Sequence, residues 1–576
     1  MELHSGYSDT PPPPLAVPPE ERPKIVRNRE ITGWRIKMFY MTRDLHLLFW
    51  LAVVIVGLGM FIGSRAVPKP GAPMDIEEGD SFEVRVADDE ASMDAGLAKE
   101  LAKAKPDLGR VLVGLSESNS YELAAVTEMY GRLAQSGLTP AEKQVANAHW
   151  ASLASHLGAP GADLLYLAYY VTPPAYANEL VGDYYAGKPR KFQRAIERYE
   201  RELSVRPEAE SPRRKILSLC WSKQDIAKLA VLRGDPLYGK LFTTKMDLSL
   251  SMRRHDWARV WPPLLMLYKE SYVAATPLIL TALAGGLWLL LAWQMIQAPS
   301  LLSFRTLISI PALLMGALST LPVLFLDMYQ SEAWGLKQHG LFFYDLWFFV
   351  AGVGLREELC KLIAFLPFVP ILIKRQNRLE MLVIASCVGL GFAVEENVSY
   401  FHGAPPSLAF QRFLTANFFH FAATGLIGLA FCDAVRNPQQ KSLRFVLVFL
   451  CVVIVHGLYD TFASAPKFTD GWNGSIFPAL LTACLILLAL AYFRLLAKER
   501  GPATDQFFPG ATLVLGISVL MSVITVLSSQ VYGFTFALSM MLIAGIQGLL
   551  FTRVFFVLLR DGLREEEQLP DPAPIY

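Results

Sequence analysis

The sequence predicts an all-α protein, a polytopic bundle of about ten transmembrane helices with an all-helical extracytoplasmic domain inserted between helices 1 and 2. Two observations lead to this prediction. The 576 residues are 53% hydrophobic and only 18% charged, whereas about a quarter of the residues of an ordinary soluble domain are charged. The apolar residues also form long runs after residue 275, and a polar stretch separates these runs from one apolar run near the N-terminus.

The N-terminal part is predicted to be a disordered, basic cytoplasmic tail (1–44) followed by a transmembrane anchor (45–66). The tail is rich in proline from Pro11 to Pro19 and then in arginine and lysine. About 20 apolar residues suffice to cross the hydrocarbon core, and a signal peptide would begin nearer to residue 1. The basic residues before the anchor place the N-terminus in the cytoplasm by the positive-inside rule.

Residues 67–272 are predicted to form a helical domain on the far side of the membrane. Its acidic start, from Asp75 to Asp94, is typical of a solvated linker. The pattern that follows is mostly helical, and the segment Phe192–Leu203 is amphipathic. No residue of this domain suggests chemistry, so we expect it to act as a gate on substrate entry at the outer mouth of the bundle.

The later apolar runs divide into a core at 273–500 and a final part at 501–576 with two further transmembrane helices and a cytoplasmic tail. The expected spans are roughly 275–297, 306–328, 341–366, 380–402, 410–432, 443–464, 475–496, 510–530 and 533–558. Loops that this order places outside contain Lys337 and Lys467, whereas those placed inside contain most of the arginines. Both termini are therefore expected to be cytoplasmic.

Ionisable side chains interrupt four of these apolar spans. They are Glu357, Glu358, Glu396, His420, His456 and Asp460. Such a residue inside a membrane costs several kcal/mol and usually faces a bundle interior or a water-filled cavity. At the rise of an α-helix, the site residues lie about 18 to 27 Å from the basic cytoplasmic ends of their spans. Because the helices alternate in direction, this shared depth predicts that the side chains converge on one cavity.

Spacing within single helices adds geometry to this prediction. Glu357 and Lys361 are separated by four residues, so the lysine can serve as a counterion on the same helical face. His456 and Asp460 have the same spacing, so both can line one cavity. Glu357 and Glu358 lie about 100° apart around a helix, and we therefore expect different roles for them.

The interrupted spans contain, in order, the segments REELCK at 356–361, GFAVEEN at 391–397, NFFHFAATGLIG at 417–428 and HGLYD at 456–460. In this order they resemble the EExxK motif, the FAxxEN motif and the two histidine-bearing segments of the PrsW intramembrane proteases. This family is similar to the wider CAAX prenyl endopeptidase and bacteriocin-processing group. The resemblance covers about residues 300–500.

The resemblance implies a membrane endopeptidase. It implies these roles: Glu357 as the general base that activates water, Glu358 as a supporting acid, Glu396 and Asn397 as groups that place water or substrate, His420 and His456 as further catalytic groups, and Lys361 and Asp460 as supporting residues.

The cofactor expected from the sequence is none, or zinc. The chain has no HExxH motif, the usual zinc arrangement on a single helix, and this favours a metal-free site. If zinc is bound, its ligands are expected among Glu396, His420, His456 and Asp460, which can assemble from different helices.

The partners implied by the resemblance are the lipid bilayer and a membrane-anchored protein substrate, such as an anti-sigma factor or a signalling protein. Regulated proteolysis in stress signalling, in a bacterial plasma (inner) membrane, is the corresponding role. The net charge of +1 gives no reason to expect nucleic acid. Two alternatives remain open, a proton-coupled transporter that uses the same ionisable residues and an inactive protease-like scaffold.

Overall fold

The computed structural model describes residues 41–42, 44–66, 96–117, 123–154, 162–270, 272–402, 404–464, 468, 476–500 and 508–561. Every regular element of these residues is a helix, which confirms the predicted all-α fold. The acidic linker, the C-terminal tail and all but the end of the N-terminal tail lie outside the described residues.

Eight helices of the described part of the chain are long and apolar enough to cross a membrane, and they confirm a polytopic membrane bundle. They are Leu45–Ser64, Ala275–Met295, Phe304–Trp334, Arg378–Phe401, Ser407–Arg436, Pro438–Ala463, Ile476–Arg500 and Pro509–Tyr532. A ninth span results if Phe534–Ile546 and Gly548–Leu559, which meet at 46°, are one bent helix.

The span predicted at 341–366 is a run of short helices and is too polar to count among the eight. The run consists of Phe342–Trp347, a π-helical stretch at Phe348–Gly354, Leu355–Phe365, a 3₁₀ turn at Leu366–Phe368 and Val369–Arg375. The π-helical stretch packs closely against a neighbouring helix, where a Cβ on Gly457 would lie 2.3 Å from Val350 Cγ2. Single π-helical turns are frequent at functional sites.

Four helices carry the motifs, and we call them the first to fourth motif helices. They are Leu355–Phe365, Arg378–Phe401, Ala416–Arg436 and Pro438–Ala463. The second motif helix is buried along most of its length and forms the centre of the bundle. Its glycines allow this, because a Cβ on Gly389 would lie 2.0 Å from the carbonyl oxygen of His420, and one on Gly391 would lie 1.8 Å from that of Leu313.

The inserted domain is a series of short helices. They are Leu108–Glu117, Leu123–Gln135, Pro140–Ala154, Ala162–Ala168, Ala177–Ala186, Phe192–Val205, Glu210–Ser222, Ile226–Gly234, Pro236–Gly239, Thr244–Arg253 and Trp261–Glu270. The amphipathic segment predicted near Phe192 is part of one of these helices. Its buried Glu202 accepts hydrogen bonds from the backbone N–H groups of Tyr176, Asn178 and Glu179, and so caps a neighbouring helix start.

The anchor helix Leu45–Ser64 packs against Pro509–Tyr532, so two spans outside the motif region contact each other. Gly59 and Gly63 form a GxxxG pair on the anchor. A Cβ on Gly59 would lie 2.5 Å from Ser522 Cβ, so the two helices touch where both residues are small.

We expect Gly391→Ala to destabilise the bundle, because its Cβ would collide with backbone, which cannot move aside as a side-chain end can. Gly286→Ala is the matched control, since nothing lies within 4 Å of a Cβ there. Thermal unfolding in detergent should show a lower melting temperature for Gly391→Ala alone. Equal melting of the two variants would contradict the close helix packing.

Candidate active site

The ammonium group of Lys361 lies at the centre of the ionisable side chains. Its Nζ lies 3.2 Å from Glu357 Oε2, 2.9 Å from Glu358 Oε1 and 2.8 Å from His420 Nδ1. The lysine side chain is 0% exposed, and its Nζ also lies 3.9 Å from the centre of the Phe392 ring. Because an ammonium can only donate, all three partners accept from it. The predicted pairing of Glu357 with Lys361 is present, and Glu358 shares the same cation.

The imidazole of His456 connects three carboxylates. Its Nδ1 lies 2.8 Å from Glu358 Oε1, so the ring N–H donates to that buried carboxylate. Its Nε2 lies 3.5 Å from Glu357 Oε2 and 3.4 Å from Asp460 Oδ2. The predicted contact between His456 and Asp460 is therefore present. Glu358 fixes the orientation of the ring, and this orientation directs Nε2 towards Glu357 and Asp460.

His420 connects the first and second motif helices. Since its Nδ1 accepts from Lys361, its Nε2 carries the proton and donates to Glu396 Oε2 at 3.2 Å. The centroids of the His420 and His456 rings lie 5.3 Å apart. The two histidines thus stand side by side, one directed to Glu396 and the other to Glu357 and Asp460.

Arg412 and Asn417 belong to the same network, and sequence reasoning missed both. Arg412 donates to Glu396 Oε2 at 2.6 Å and to Asn397 Oδ1 at 2.5 Å. Asn397 in turn donates to Asn417 Oδ1 at 2.7 Å. Arg412 stands at the start of a predicted span, where an arginine usually indicates the membrane interface, so its position carried no specific signal.

The structure thus brings all the predicted site residues into one connected cluster. Three carboxylates border its accessible side: the side chains of Glu357, Glu396 and Asp460 are 9%, 21% and 23% exposed. Glu358, Lys361 and the two histidines lie behind them. The roles of these residues remain predictions, but their arrangement holds the two buried imidazoles against the more exposed carboxylates.

Glu357, His420 and His456 form the one group in the described part of the chain that could hold a metal ion, with ligand atoms all within 4.8 Å of one another. The group shares both histidines with the predicted ligand set but contains Glu357 and neither Glu396 nor Asp460. One carboxylate and two imidazoles form a common zinc donor set. A carboxylate that orients a ligating histidine, as Glu358 does here, is typical of zinc sites. The donor atoms of these three residues and their burial therefore fit a zinc ion.

Comparison with known proteins gives the same resemblance as the motifs. Residues 305–491 match the model of the PrsW family intramembrane metalloprotease. The resemblance to the PrsW family is thereby confirmed for this segment. A curated relative, Protease PrsW of Oceanobacillus iheyensis, is 27% identical over 185 residues, which are 32% of this chain and 79% of the relative. No solved structure gives a significant match.

The matched segment contains all four motif helices and excludes the inserted domain, the anchor and the last two helices. The match of this segment to the family supports a membrane protease, and the apolar helices support an integral membrane protein. The catalytic type is indicated by the family description, which names a metalloprotease.

We expect Lys361→Met to destabilise the bundle strongly, because it leaves two buried carboxylates without their cation. Removing one partner of a buried ion pair typically costs about 3–5 kcal/mol. Lys441→Met is the control, since the lysine pairs with Asp433 at 3.5 Å but is 32% exposed. Thermal unfolding in detergent measures both variants. If the two variants melt at the same temperature, Lys361 does not hold the site together.

Proposed function

We propose that this protein is an intramembrane or membrane-proximal endopeptidase that hydrolyses membrane-anchored proteins and uses Glu357 as an essential group. The observation that carries the proposal is the single cluster formed by all four motifs inside the family-matched segment. A transporter would use similar buried ionisable residues, but the family assignment favours hydrolysis. An inactive scaffold would keep the cluster and show no cleavage.

Glu357 is the group to which we assign water activation. Its side chain is 9% exposed, whereas that of Glu358 is fully buried and engaged by both Lys361 and His456. A base must reach the water whose proton it takes, which favours the accessible carboxylate of the pair. The proton passes to Glu357, and the hydroxide oxygen attacks the carbonyl carbon of the scissile peptide bond.

His456 is the group that we assign to proton transfer next to Glu357. Its Nε2 faces both Glu357 and Asp460, so a proton on this atom can be shared between the two carboxylates. Hydrolysis of a peptide bond also requires a proton for the leaving amine. We assign Glu396 and Asn397 to positioning, because Arg412 and His420 hold them at the edge of the cluster.

The family description and the donor set support zinc as the cofactor, held by Glu357, His420 and His456. A bound zinc ion would polarise the substrate carbonyl and activate water. Both nitrogens of His420 are engaged, by Lys361 and by Glu396, so ligation by this residue requires one of those contacts to open. In a metal-free site, Lys361 supplies the positive charge among the same donors. Glu357 is essential in both cases, as a ligand or as the base.

The proposed location is the bacterial plasma (inner) membrane, with both termini in the cytoplasm. The basic residues of the loops support this orientation. We propose a membrane-anchored regulatory protein, such as an anti-sigma factor, as the substrate, on the basis of the PrsW resemblance. Cleavage of such a protein would connect the enzyme to stress signalling.

We expect Glu357→Gln to abolish cleavage of a transmembrane peptide by the purified protein while the chain stays folded, because Lys361 keeps its ion pair with Glu358. Loss of the carboxylate removes the base or the ligand but keeps the shape of the side chain. Glu128→Gln is the control, because Glu128 lies on the surface of the inserted domain and pairs with Arg132. A variant that keeps more than about a tenth of the activity would mean a contribution of less than about 1.4 kcal/mol, too little for an essential group.

The metal content of the purified protein distinguishes a zinc-dependent site from a metal-free one. If zinc is the cofactor, elemental analysis should find about one zinc per wild-type chain, as expected for one three-ligand site. That zinc should be lost in Glu357→Gln and in His456→Ala, whereas Glu128→Gln should retain it. A wild-type protein that cleaves the peptide in excess chelator, without bound metal, would contradict the zinc proposal and leave Glu357 as the base.

The orientation is tested with reporter fusions placed at Gln135 in the inserted domain and at Lys498, in the last turn of the helix Ile476–Arg500, whose end is predicted to be cytoplasmic. We expect the two reporters to lie on opposite sides of the membrane, with Lys498 in the cytoplasm. The same side for both fusions would contradict the proposed topology.

A further inference from the structure

The last two helices of the inserted domain, Thr244–Arg253 and Trp261–Glu270, pack on the membrane helix Thr320–Trp334, which we call the bridging helix. The apolar contact consists of Leu248, Met252, Val260 and Leu264 from the domain and Leu324, Phe325 and Met328 from the bridging helix. The rings of Trp261 and Phe325 stack, with their centroids 5.6 Å apart. Beside them, Arg253 Nε lies 2.5 Å from Glu332 Oε2. The domain is therefore docked on this helix by apolar packing and an ion pair.

Other residues of the bridging helix contact the motif helices. Arg356, the residue before Glu357, places Nη2 3.0 Å from Asp327 Oδ1 and donates from Nη1 to Gln330 Oε1 at 2.6 Å. Val323 packs in one cluster with Cys360 of the first motif helix and Phe392 of the second. The bridging helix thus joins the inserted domain to the helix that carries Glu357.

A second connection reaches the second motif helix. Tyr272 follows the last helix of the domain, and its hydroxyl donates to Glu395, the residue before Glu396. The same hydroxyl lies 3.2 Å from that of Tyr268. Burial and the hydrogen bond to Glu395 raise the pKa of Tyr272, so its hydroxyl stays protonated and remains a donor. Glu395 is therefore held by the domain through the hydroxyl of Tyr272.

On the basis of the proposed peptidase function, we propose that Arg356 and Tyr272 are positioning residues, through which the inserted domain sets the placement of Glu357 and Glu396. The domain then does more than cover the outer mouth, because its docking controls the geometry of the reacting groups. Each connection ends one residue before a carboxylate of the site. A shift of about 1 Å in a reacting group can lower the rate by about 100-fold, so such contacts act on catalysis at a distance.

The first test reverses the ion pair that docks the domain. Arg253→Glu should lower kcat for a transmembrane peptide by about tenfold or more, with KM changed less than about twofold, because the groups are misplaced and not removed. Arg253→Glu combined with Glu332→Arg should restore kcat. Arg259→Glu is the control, since Arg259 is 65% exposed and pairs within its own segment with Asp256.

A second readout does not need activity. Hydrogen–deuterium exchange of the first motif helix should be faster in Arg253→Glu than in wild type and should return in the double reversal. Faster exchange only inside the domain, or a double reversal that restores nothing, would overturn the proposal. If the wild type cleaves no peptide, the proposed function fails, but the exchange measurement still tests the mechanical connection.

Tyr272→Phe tests the second connection, because it removes only the hydroxyl that Glu395 accepts from. We expect kcat to fall about tenfold, as for the loss of one hydrogen bond to a charged group. We also expect faster exchange in the second motif helix. Tyr166→Phe is the control, since that hydroxyl contacts Tyr170 on the surface of the domain. Equal activity and exchange in the two variants would exclude Tyr272 as a positioning residue.

Discussion

The site depends on one buried positive charge, the ammonium of Lys361. A charge in an apolar bundle is stable only if opposite charges and hydrogen-bond acceptors surround it. Here Glu357, Glu358 and His420 supply them, and His456 continues the network through Glu358. This requirement fixes where the first, third and fourth motif helices meet. The close approach also needs small residues in the core, as at Gly389, where the second motif helix touches the backbone at His420.

An ion cluster of this kind contributes little to stability, because its desolvation costs about as much as its attractions return. Ionisable residues inside a membrane bundle that add little stability are commonly functional. The rest of the core follows the opposite rule, since its large buried side chains are mostly apolar and aromatic. The contrast between this core and the polar cluster supports a catalytic role for the cluster.

The sequence predicted the parts of the fold and the site that depend on one helix at a time. Apolar runs predicted the spans, and four-residue spacing predicted the contacts of Glu357 with Lys361 and of His456 with Asp460. Contacts between helices depend on rotation and crossing angles, which one sequence does not contain. The hydrogen bonds from Arg412 to Glu396 and from Tyr272 to Glu395 are contacts between helices of this kind, which the sequence did not predict.

The same limit explains the local departures from the predicted spans. The π-helical stretch before the first motif helix depends on packing against Gly457, a residue about 100 positions away in sequence, beyond the reach of any helical periodicity. The docking of the inserted domain on the bridging helix likewise uses ordinary apolar residues, which carry no signal for a particular partner.

The most direct test of the central role of Lys361 is to neutralise the whole cluster. The measurement compares Lys361→Met with the triple variant Lys361→Met, Glu357→Gln and Glu358→Gln, in thermal unfolding and in peptide cleavage. The triple variant should regain most of the stability lost in the single variant, because no buried charge is left unpaired. If the cluster serves catalysis, the triple variant should also cleave no peptide. A triple variant that cleaves the peptide, or that is no more stable than Lys361→Met, would contradict this role.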